Sequence, residues 1–264
     1  MPYTIAAVDR ALTLLELLAE HPNLGVTEIA TFLGGTKSQA FRLLYTLERR
    51  GFVRKDPVSR HHSLGYRALY LGDKVQQQSS LIELVRPYLD ELVELCRENV
   101  HLVVREGTTS VCIALRESPQ PLRLYAQVGR SGPLHAGGAS KVLLAYAPNA
   151  VQEQVLSGDL EIFTAATLTD PSRLRQLLEV IRNSDFYESA DDLDEGAFSI
   201  AAPIRDYSDE VIAALSIAGP ASRLTTEIRG NHRRLIREYS RKISRALGWA
   251  EAVELEATGE DRRL

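Results

Sequence analysis

Residues 27–64 contain the pattern that most constrains the fold of this chain. A short helical segment is followed by a glycine turn, a longer helical segment and two short strand-like segments around a polar loop. In the first segment, residues 27–33, Ile29, Phe32 and Leu33 form one apolar face at helical spacing, and Thr27 stands where a helix cap is expected. Gly34 and Gly35 separate it from the second segment, residues 36–50. This order of elements predicts a winged helix-turn-helix, a fold that places its second helix in the major groove of DNA.

The second helical segment has one apolar face and one polar face. Ala40, Leu43, Leu44 and Leu47 recur at three- and four-residue intervals, which predicts that this side is buried. The first two turns of the opposite face carry four side chains that hydrogen-bond to bases or phosphates: Lys37, Ser38, Gln39 and Arg42. Arginine pairs well with guanine edges and glutamine with adenine edges. With Thr27 at the start of the preceding helix, these residues are the predicted DNA-binding set.

The strand-like segments are residues 51–54 and 62–64, and the loop between them, residues 55–61, is the predicted wing. Its Arg60 and His61 are expected to contact phosphate or the minor groove. Charge supports the same placement. Ten Lys and Arg against seven Asp and Glu give residues 1–78 a net charge of +3, whereas 21 against 28 give the remainder a net charge of −7. Only the first part is therefore electrostatically suited to DNA.

Composition limits the class of protein to which the chain can belong. A length of 264 residues suggests two domains, and 44% hydrophobic residues suffice for a core in each. No stretch approaches the roughly 18 apolar residues of a membrane span, and the first residues have no secretory pattern. With only Cys96 and Cys112 there is no disulfide framework, so we expect a cytoplasmic protein that does not associate with membranes.

Further patterns predict the domain organisation: a DNA-binding domain at residues 1–65, a linker helix at 66–79, a second domain at 80–250 and a flexible tail at 251–264. Helical periodicity recurs at residues 5–20, 66–78, 81–98, 139–146, 150–156, 171–183 and 226–247. Strand-like alternation recurs at residues 101–105, 110–115, 122–128, 198–204 and 211–218. Because strands and helices do not alternate strictly, the second domain is predicted to be α+β with an antiparallel sheet.

Less specific interpretations of the same residues explain fewer of these features. An ordinary helical hairpin would carry the same basic residues as a solvated face, but the wing, the turn glycines and the charge balance favour the winged helix. Ser140 and Lys141 are adjacent and lack the Ser-x-x-Lys spacing, and no nucleophile elbow occurs, so we predict no catalytic residues. No phosphate-binding or dinucleotide motif indicates a cofactor. The candidate zinc ligands also lack metal-site spacing: Cys96, His101, Cys112 and His135.

Six segments resemble the bacterial IclR family of transcriptional regulators. Three lie in the first part, at residues 7–12 (AVDRAL), 36–44 (TKSQAFRLL) and 51–53 (GFV). Three lie in the second, at residues 133–136 (PLHA), 201–204 (AAPI) and 214–220 (ALSIAGP). The resemblance implies an N-terminal winged helix joined by a helix to a C-terminal GAF-like domain that binds a small organic acid as effector. It also implies repression or activation by a dimer or tetramer at inverted-repeat promoter sites.

The same resemblance implies which residues bind the effector: Leu124 on a strand, Gly138, Ala139, Asp191, Ser199 and Ser216. A glycine-rich loop that leads into a helix offers free N–H groups to a carboxylate, which agrees with Gly138 and Ala139. The two serines would orient the ligand, unless their hydroxyls simply bond to neighbouring backbone. Either Asp191 or Asp192 is the acidic residue of the pocket. Ser140 and Ala218 depart from common family residues, so the ligand is expected to differ from small keto acids.

Two functions of different classes fit the sequence. One is a ligand-responsive, sequence-specific transcriptional regulator. The other is a small-molecule-binding or hydrolytic domain that uses its winged helix for protein contacts. Only the first predicts salt-sensitive, sequence-specific binding to promoter DNA. A regulator of this kind is expected to dimerise, and the apolar faces of the helices at residues 5–20 and 66–78 are the expected contacts unless they belong to the domain core.

Overall fold

The computed structural model describes residues 3–250, and the chain divides into two compact units after residue 80. The flexible tail predicted at residues 251–264 lies outside the described residues. The predicted α+β class, with a winged helix followed by a domain built on an antiparallel sheet, is confirmed. Within residues 3–250, no helix has the length and apolar character needed to cross a membrane.

The first unit is a winged helix-turn-helix. Its elements are α1 (Ala6–Glu20), α2 (Val26–Phe32), α3 (Lys37–Arg49), β1 (Val53–Lys55), β2 (His62–Leu64) and α4 (Tyr66–Gln78). Its core is formed by Leu14, Leu17, Leu18, Ile29, Ala30, Ala40, Leu44 and Val53. Strands β1 and β2 are antiparallel, with Val53 opposite Leu64. The core therefore holds α3 against α1, α2 and the base of the wing.

Local interactions determine where α3 begins and ends. The N–H of Gln39 donates to the Thr36 hydroxyl at 3.2 Å, and the Gln39 side-chain oxygen accepts from the Thr36 N–H at 3.0 Å. This reciprocal capping box satisfies two N–H groups that the first turn leaves unpaired. Gly51 has a φ of +76° and donates its N–H to the carbonyl of Glu48 at 2.9 Å, so the helix ends at a left-handed turn.

Two expectations for α2 were wrong. Thr27 does not cap the helix, because the cap of α2 is Gly25, two residues earlier. The Gly25 N–H donates to the Glu28 carboxylate at 2.7 Å. Phe32 is not part of the apolar face. Its side chain is 67% exposed, and its ring lies 5.7 Å from that of His21. In a helix of only two turns, the core-facing positions are already taken by other residues.

The second unit is a six-stranded antiparallel sheet covered by helices. Its elements are α5 (Ser80–Cys96), β3 (Asn99–Glu106), β4 (Thr109–Arg116), β5 (Ser131–Pro133), α6 (Gly138–Ala145), α7 (Asn149–Leu156), α8 (Pro171–Ser184), β6 (Tyr187–Ala190), β7 (Ala197–Arg205), β8 (Val211–Pro220) and α9 (Thr226–Ala246). A 3-10 turn, Ala221–Arg223, joins β8 to α9. The strand order is β5-β4-β3-β8-β7-β6. The first and last strands of this unit, β3 and β8, are therefore neighbours at the centre of the sheet.

The two faces of the sheet carry side chains of different size. Alternate residues of a strand point to opposite faces. Large side chains such as Phe198, Ile200 and Leu215 pack against α5 and α9, whereas Ala201 and Ala214 face α6, α7 and α8. The small residues let α6 approach the sheet closely and leave unfilled volume beside its first turn.

The strand predicted at residues 122–128 does not exist. Strand β4 pairs instead with β5, and Cys112 exchanges backbone hydrogen bonds with Gly129 and Arg130, at 2.7 and 3.1 Å. Gly129, with a φ of +87°, then turns the chain away from the sheet edge. Side chains, and not a neighbouring strand, donate to the carbonyls of this irregular segment: the Arg223 guanidinium to Leu122 at 2.7 Å and the Asn99 amide to Leu124 at 3.0 Å. Strands β5 and β6, both short edge strands, were not predicted.

Gly65 and Gly72 give a matched test of the first unit. A Cβ on Gly65 would lie 2.2 Å from the carbonyl oxygen of Gly51, whereas a Cβ on Gly72 in the middle of α4 meets open space. We expect Gly65→Ala to destabilise the unit by about 1–3 kcal/mol or more, because backbone must move. Gly72→Ala is expected to stabilise it by about 1 kcal/mol through helix propensity.

Urea unfolding of the full chain, followed by circular dichroism, measures both effects. A Gly65→Ala variant that unfolds at the same urea concentration as the parent would show that the junction between β2 and α4 is described wrongly.

Candidate DNA-binding and ligand-binding sites

The polar face of α3 presents most of the predicted DNA-binding side chains to solvent. Lys37, Ser38 and Arg42 are exposed, and Ser38 and Arg42 lie one turn apart on the same face. Within residues 3–250, neither Lys37 nor Arg42 has an ion-pair partner. Two cationic side chains therefore remain available for phosphate or base edges at the N-terminal half of the helix.

Gln39 is less available than its position in the sequence indicates. Its side-chain oxygen accepts the Thr36 N–H in the capping box, which holds both the oxygen and the amide NH₂ group against the start of the helix. A bidentate contact to adenine needs both groups. Gln39 would therefore have to release the cap in order to read adenine, whereas Arg42 needs no such rearrangement.

An exposed aromatic pair on α3 was not predicted. Phe41 and Tyr45 are 55% and 53% exposed, and their rings stack with centroids 6.5 Å apart. The guanidinium of Arg49 lies 6.0 Å from the Tyr45 ring. Phe41 and Tyr45 are four residues apart, and each follows a buried residue of α3, Ala40 or Leu44. This spacing places them together outside the buried face, and it could have been recognised in the sequence. Exposed aromatic rings beside Arg42 suit the apolar parts of a DNA groove, such as thymine methyl groups.

The wing is a tight loop that is held in shape by Asp56, the first residue after β1. The Asp56 carboxylate accepts hydrogen bonds from the backbone N–H of Ser59 at 2.7 Å, the Ser59 hydroxyl at 3.0 Å and the N–H of Val58 at 2.9 Å. These bonds, those from Ser59 first, lower the pKa of Asp56 below its usual value. The loop is thus held in one shape while its tip stays in solvent.

The two basic residues of the wing are presented differently. Arg60 is exposed, has a φ of +62° and has no ion-pair partner within the described part of the chain. His61 is half-buried, and its ring lies 3.5 Å from the position of a Cβ on Gly25. Arg60 is therefore the cation that the wing extends outwards, and His61 packs near the start of α2. Thr27 is exposed in the first turn of that helix.

A cavity of about 300 Å³ lies in the second unit, between the sheet and the first turn of α6. This is the lower end of the range for small-molecule sites. Five of the six residues predicted to bind the effector line it: Leu124, Gly138, Ala139, Ser199 and Ser216. Leu124 reaches the cavity from the irregular segment, where the Asn99 side chain donates to its carbonyl at 3.0 Å, and not from a strand.

The sixth residue, Asp191, does not line the cavity, whereas its open alternative Asp192 does. Asp191 has a φ of +54°, and its carboxylate accepts the N–H of Gly196 at 2.6 Å, which closes the loop between β6 and β7. The turn at Asp191 directs the next side chain inwards. One oxygen of Asp192 accepts both the Gly137 N–H and the Lys141 ammonium, each at 2.7 Å.

Lys141 and Asp192 form an ion pair that is almost completely buried, with side chains 2% and 5% exposed. The other Asp192 oxygen, Oδ1, has no hydrogen-bond partner within residues 3–250. The pair was not predicted, although a lysine inside the apolar segment of α6 was a usable signal. The ion pair neutralises the Asp192 charge and holds the β6–β7 loop over the start of α6.

The start of α6 supplies hydrogen-bond donors to the cavity. The N–H groups of Gly138, Ala139 and Ser140 precede the first intrahelical bond, from Lys141 to Gly137, and have no acceptor in the described part of the chain. A Cβ on Gly138 would lie 2.6 Å from the Ser199 hydroxyl. Glycine is therefore required at this position because α6 contacts β7 here.

The serine hydroxyls are partly satisfied by each other. Ser199 and Ser216, on neighbouring strands, lie 2.9 Å apart, oxygen to oxygen. Ser110 and Ser140 form a similar pair at 2.9 Å, and Ser110 also reaches the Gly132 carbonyl at 3.2 Å. Only one hydroxyl of a pair needs to donate to the other. The Ser199–Ser216 pair therefore retains one O–H that could bind a ligand. The sequence left open whether these hydroxyls orient a ligand or bond to neighbouring backbone, and in the structure they bond to each other.

Two titratable groups on the sheet face the cavity and are neutral near pH 7. Burial lowers the pKa of His101 to about 4 and raises the pKa of Cys112 to about 11. A protonated thiol is a poor nucleophile and a poor metal ligand. Among residues 3–250, no three His, Cys, Asp or Glu side chains are grouped as a metal site requires.

Comparison with known proteins identifies the family of both units. Residues 73–245 match the family model described as the bacterial transcriptional regulator IclR C-terminal domain, and residues 7–57 match the IclR helix-turn-helix domain. The chain is 30% identical over 249 residues to the regulator KdgR of Escherichia coli, covering 94% of this chain and 95% of KdgR. It is 33% identical over 253 residues to the glycerol operon regulatory protein of Streptomyces coelicolor, covering 94% and 98%.

Solved structures give the same result for the fold. An IclR transcriptional regulator from Alicyclobacillus acidocaldarius superimposes with a TM-score of 0.83 and 27% identity, over 93% of this chain and 100% of the other. The curated relatives are regulators and not enzymes. With family models that together span both units, the chain belongs to the IclR family of DNA-binding transcriptional regulators.

Proposed function

We propose that this regulator binds inverted-repeat promoter DNA as a dimer and that a small organic acid in the cavity of its second unit controls this binding. The observation that carries the proposal is the unpaired Arg42 on the exposed face of α3, in a chain that also contains a mainly apolar cavity with polar groups such as Ser199 and Ser216 in its lining. We expect the protein to act in the cytoplasm, where bacterial DNA lies.

Three features support an acidic ligand. The free N–H groups at the start of α6 form a site for an anion. Arg130 lines the cavity, is exposed and has no ion-pair partner within the described residues. The Asp192 carboxylate is neutralised by Lys141, so it does not exclude a second carboxylate. Apolar contact comes from Leu124 and Phe163.

The exposed apolar residues of the first unit support a dimer. Val8 and Leu12 of α1 are exposed, although Leu14, Leu17 and Leu18 of the same helix are in the core. None of the residues of α4 is buried, and its Leu69 and Val75 are exposed. These faces therefore do not belong to the core of a single chain. Exposed apolar surface on this scale is typical of a protein interface.

Ligand control requires that the acid binds more tightly to one of two arrangements of the dimer, since a ligand with equal affinity for both shifts nothing. Typical coupling free energies of about 1–3 kcal/mol change DNA affinity about 5- to 150-fold. We therefore expect the bound acid to change the DNA affinity by shifting the balance between the two arrangements of the dimer, and not by touching DNA itself.

Arg42→Ala tests the placement of α3. Using sites selected in vitro from random DNA by the full chain, we expect Arg42→Ala to weaken specific binding by about 1–3 kcal/mol and to relax the preference at one base pair. Arg60→Ala on the wing is the matched control. It should weaken all sequences alike and reduce the slope of log affinity against log salt by about one phosphate contact.

Gel-shift titrations over a range of salt concentrations separate the two effects. If Arg42→Ala selects the same sites as the parent with the same affinity, α3 does not read bases. If no sequence is enriched at all, the proposed function fails as a whole.

Sedimentation equilibrium tests the dimer. The parent is expected to be a dimer or tetramer at micromolar concentration, whereas Leu12→Glu combined with Val75→Glu places charge on the exposed faces of α1 and α4 and should shift it towards monomer. Glu179→Lys, a charge change at an exposed position of α8 and outside both faces, is the control. A parent that sediments as a monomer and protects an asymmetric site would contradict the proposal.

Filling the cavity tests the effector site. Gly138→Leu, the obvious probe from the sequence, would drive its side chain into Ser199 on β7 and disturb the fold. Ala218 lines the cavity from β8, so Ala218→Leu fills the volume while leaving α6 in place. We expect this variant to bind DNA normally but to lose its response to any carboxylic acid that releases the parent from DNA.

Ala150→Leu, at an exposed position of α7, is the control and should respond like the parent. Isothermal titration of that acid against both variants gives the direct measurement. Parental affinity in Ala218→Leu would place the effector site elsewhere.

A further inference from the structure

A row of polar side chains crosses the floor of the cavity. His101 on β3 lies directly opposite Ser216 on β8, and the Ser216 hydroxyl contacts that of Ser199 on β7 at 2.9 Å. Directly opposed residues of an antiparallel pair have Cβ atoms about 4.5–5.5 Å apart. All three residues line the cavity. This row, here called the polar row, joins three adjacent strands on the face that carries the small side chains.

His101 is the member of the polar row that the protein leaves without a partner. Within residues 3–250 its ring makes no hydrogen bond, ion pair or ring contact, and its nitrogens are not among the unpaired atoms sealed from solvent, so they open onto the cavity. Two buried histidines behave differently. His135 contacts the Glu161 carbonyl at 2.9 Å, and His232 contacts that of Cys96 at 3.2 Å. Interior polar groups normally have such partners.

The charge state of His101 decides what it can bind. Because burial lowers its pKa to about 4, the ring is neutral near pH 7 and offers one N–H donor and one nitrogen acceptor. The Ser199–Ser216 pair adds one free O–H. A carboxylate can only accept hydrogen bonds and would leave the acceptor nitrogen unpaired. A hydroxyl group both donates and accepts, so it satisfies the polar row.

We propose that His101 is a specificity-determining residue of this cavity and that the effector is a hydroxylated organic acid. Its hydroxyl lies on the polar row, and its acid group lies at the start of α6. A volume of about 300 Å³ holds roughly ten water-sized groups, which is room for a short hydroxy acid. The inference rests on the proposed function, because it takes the cavity to be the effector site.

Matched acids that differ by one hydroxyl test the inference. Isothermal titration of the full chain near pH 7 uses the pairs lactate and propionate, 3-hydroxybutyrate and butyrate, and mandelate and phenylacetate. In at least one pair, we expect the hydroxylated acid to bind about tenfold or more tightly than its partner, because a site built for a hydroxyl rejects the analogue that lacks it.

Three variants assign the preference to His101. His101→Leu removes both polar atoms and should reduce the affinity for the hydroxy acid to that for its partner. His101→Gln retains a donor and an acceptor and should keep part of the preference. Val103→Ala is the control, since Val103 lies on the same strand and the same face of the cavity but carries no polar atom. It should change the affinity for both acids of a pair equally.

Nuclear magnetic resonance of the unmodified protein, labelled with ¹⁵N in its histidine rings, gives a readout that does not depend on the folding of a variant. The ring nitrogens of His101, assigned by their absence in His101→Gln, should shift on addition of the hydroxy acid and much less on addition of its partner.

The outcomes separate the inference from the proposed function. If the acids bind equally well to Ala218→Leu, the cavity is not the effector site and both fail. If none of the three hydroxy acids binds, the inference fails, whereas the proposed function is still decided by the response of Ala218→Leu to an acid that releases the parent from DNA. If an acid binds in the cavity without a hydroxyl preference, or if the preference survives in His101→Leu, only the role of His101 is wrong. A keto acid such as pyruvate that binds more tightly than lactate would also overturn it.

Discussion

The buried ion pair between Lys141 and Asp192 is the interaction on which the cavity depends. Asp192 accepts the Gly137 N–H and the Lys141 ammonium with one oxygen, so the β6–β7 loop, the turn before α6 and α6 itself are joined at one point. Burying two charges costs several kcal/mol per ion, and the attraction between them offsets this only with good geometry. The pair is therefore better explained by positioning than by net stability: it places the N–H groups of α6 over the sheet.

The polarity of the cavity follows from the sheet below it. Strands β7 and β8 direct their large apolar residues to α5 and α9 and their serines and alanines to α6, so small side chains leave room and hydroxyls supply hydrogen bonds. The groups that result are suited to binding. The Cys112 thiol stays protonated, and the serine hydroxyls contact one another and not a base. Groups of this kind are suited to holding a molecule and not to breaking its bonds, which agrees with a regulator.

How much could be predicted differs between the two units. In the first, the order of elements, the inner face of α3 and the wing were all predicted, and the errors at Thr27 and Phe32 concern one turn of a short helix. In the second, residues 122–128 have the composition of a strand but do not pair with the sheet, since Gly129 and Arg130 already bond to Cys112 of β4. The availability of a pairing partner cannot be inferred from a strand's own residues.

The sequence by itself determined the features that depend on neighbours within about four residues: helix periodicity, the Thr36–Gln39 capping box and the glycine that ends α3. Only the tertiary structure decided whether Asp191 or Asp192 lines the cavity, that Lys141 is buried and that His101 stands opposite Ser216. These depend on residues far apart in the chain that meet across strands and loops. A shift of one residue in a turn changes which side chain points inwards, and the composition of the turn does not determine that shift.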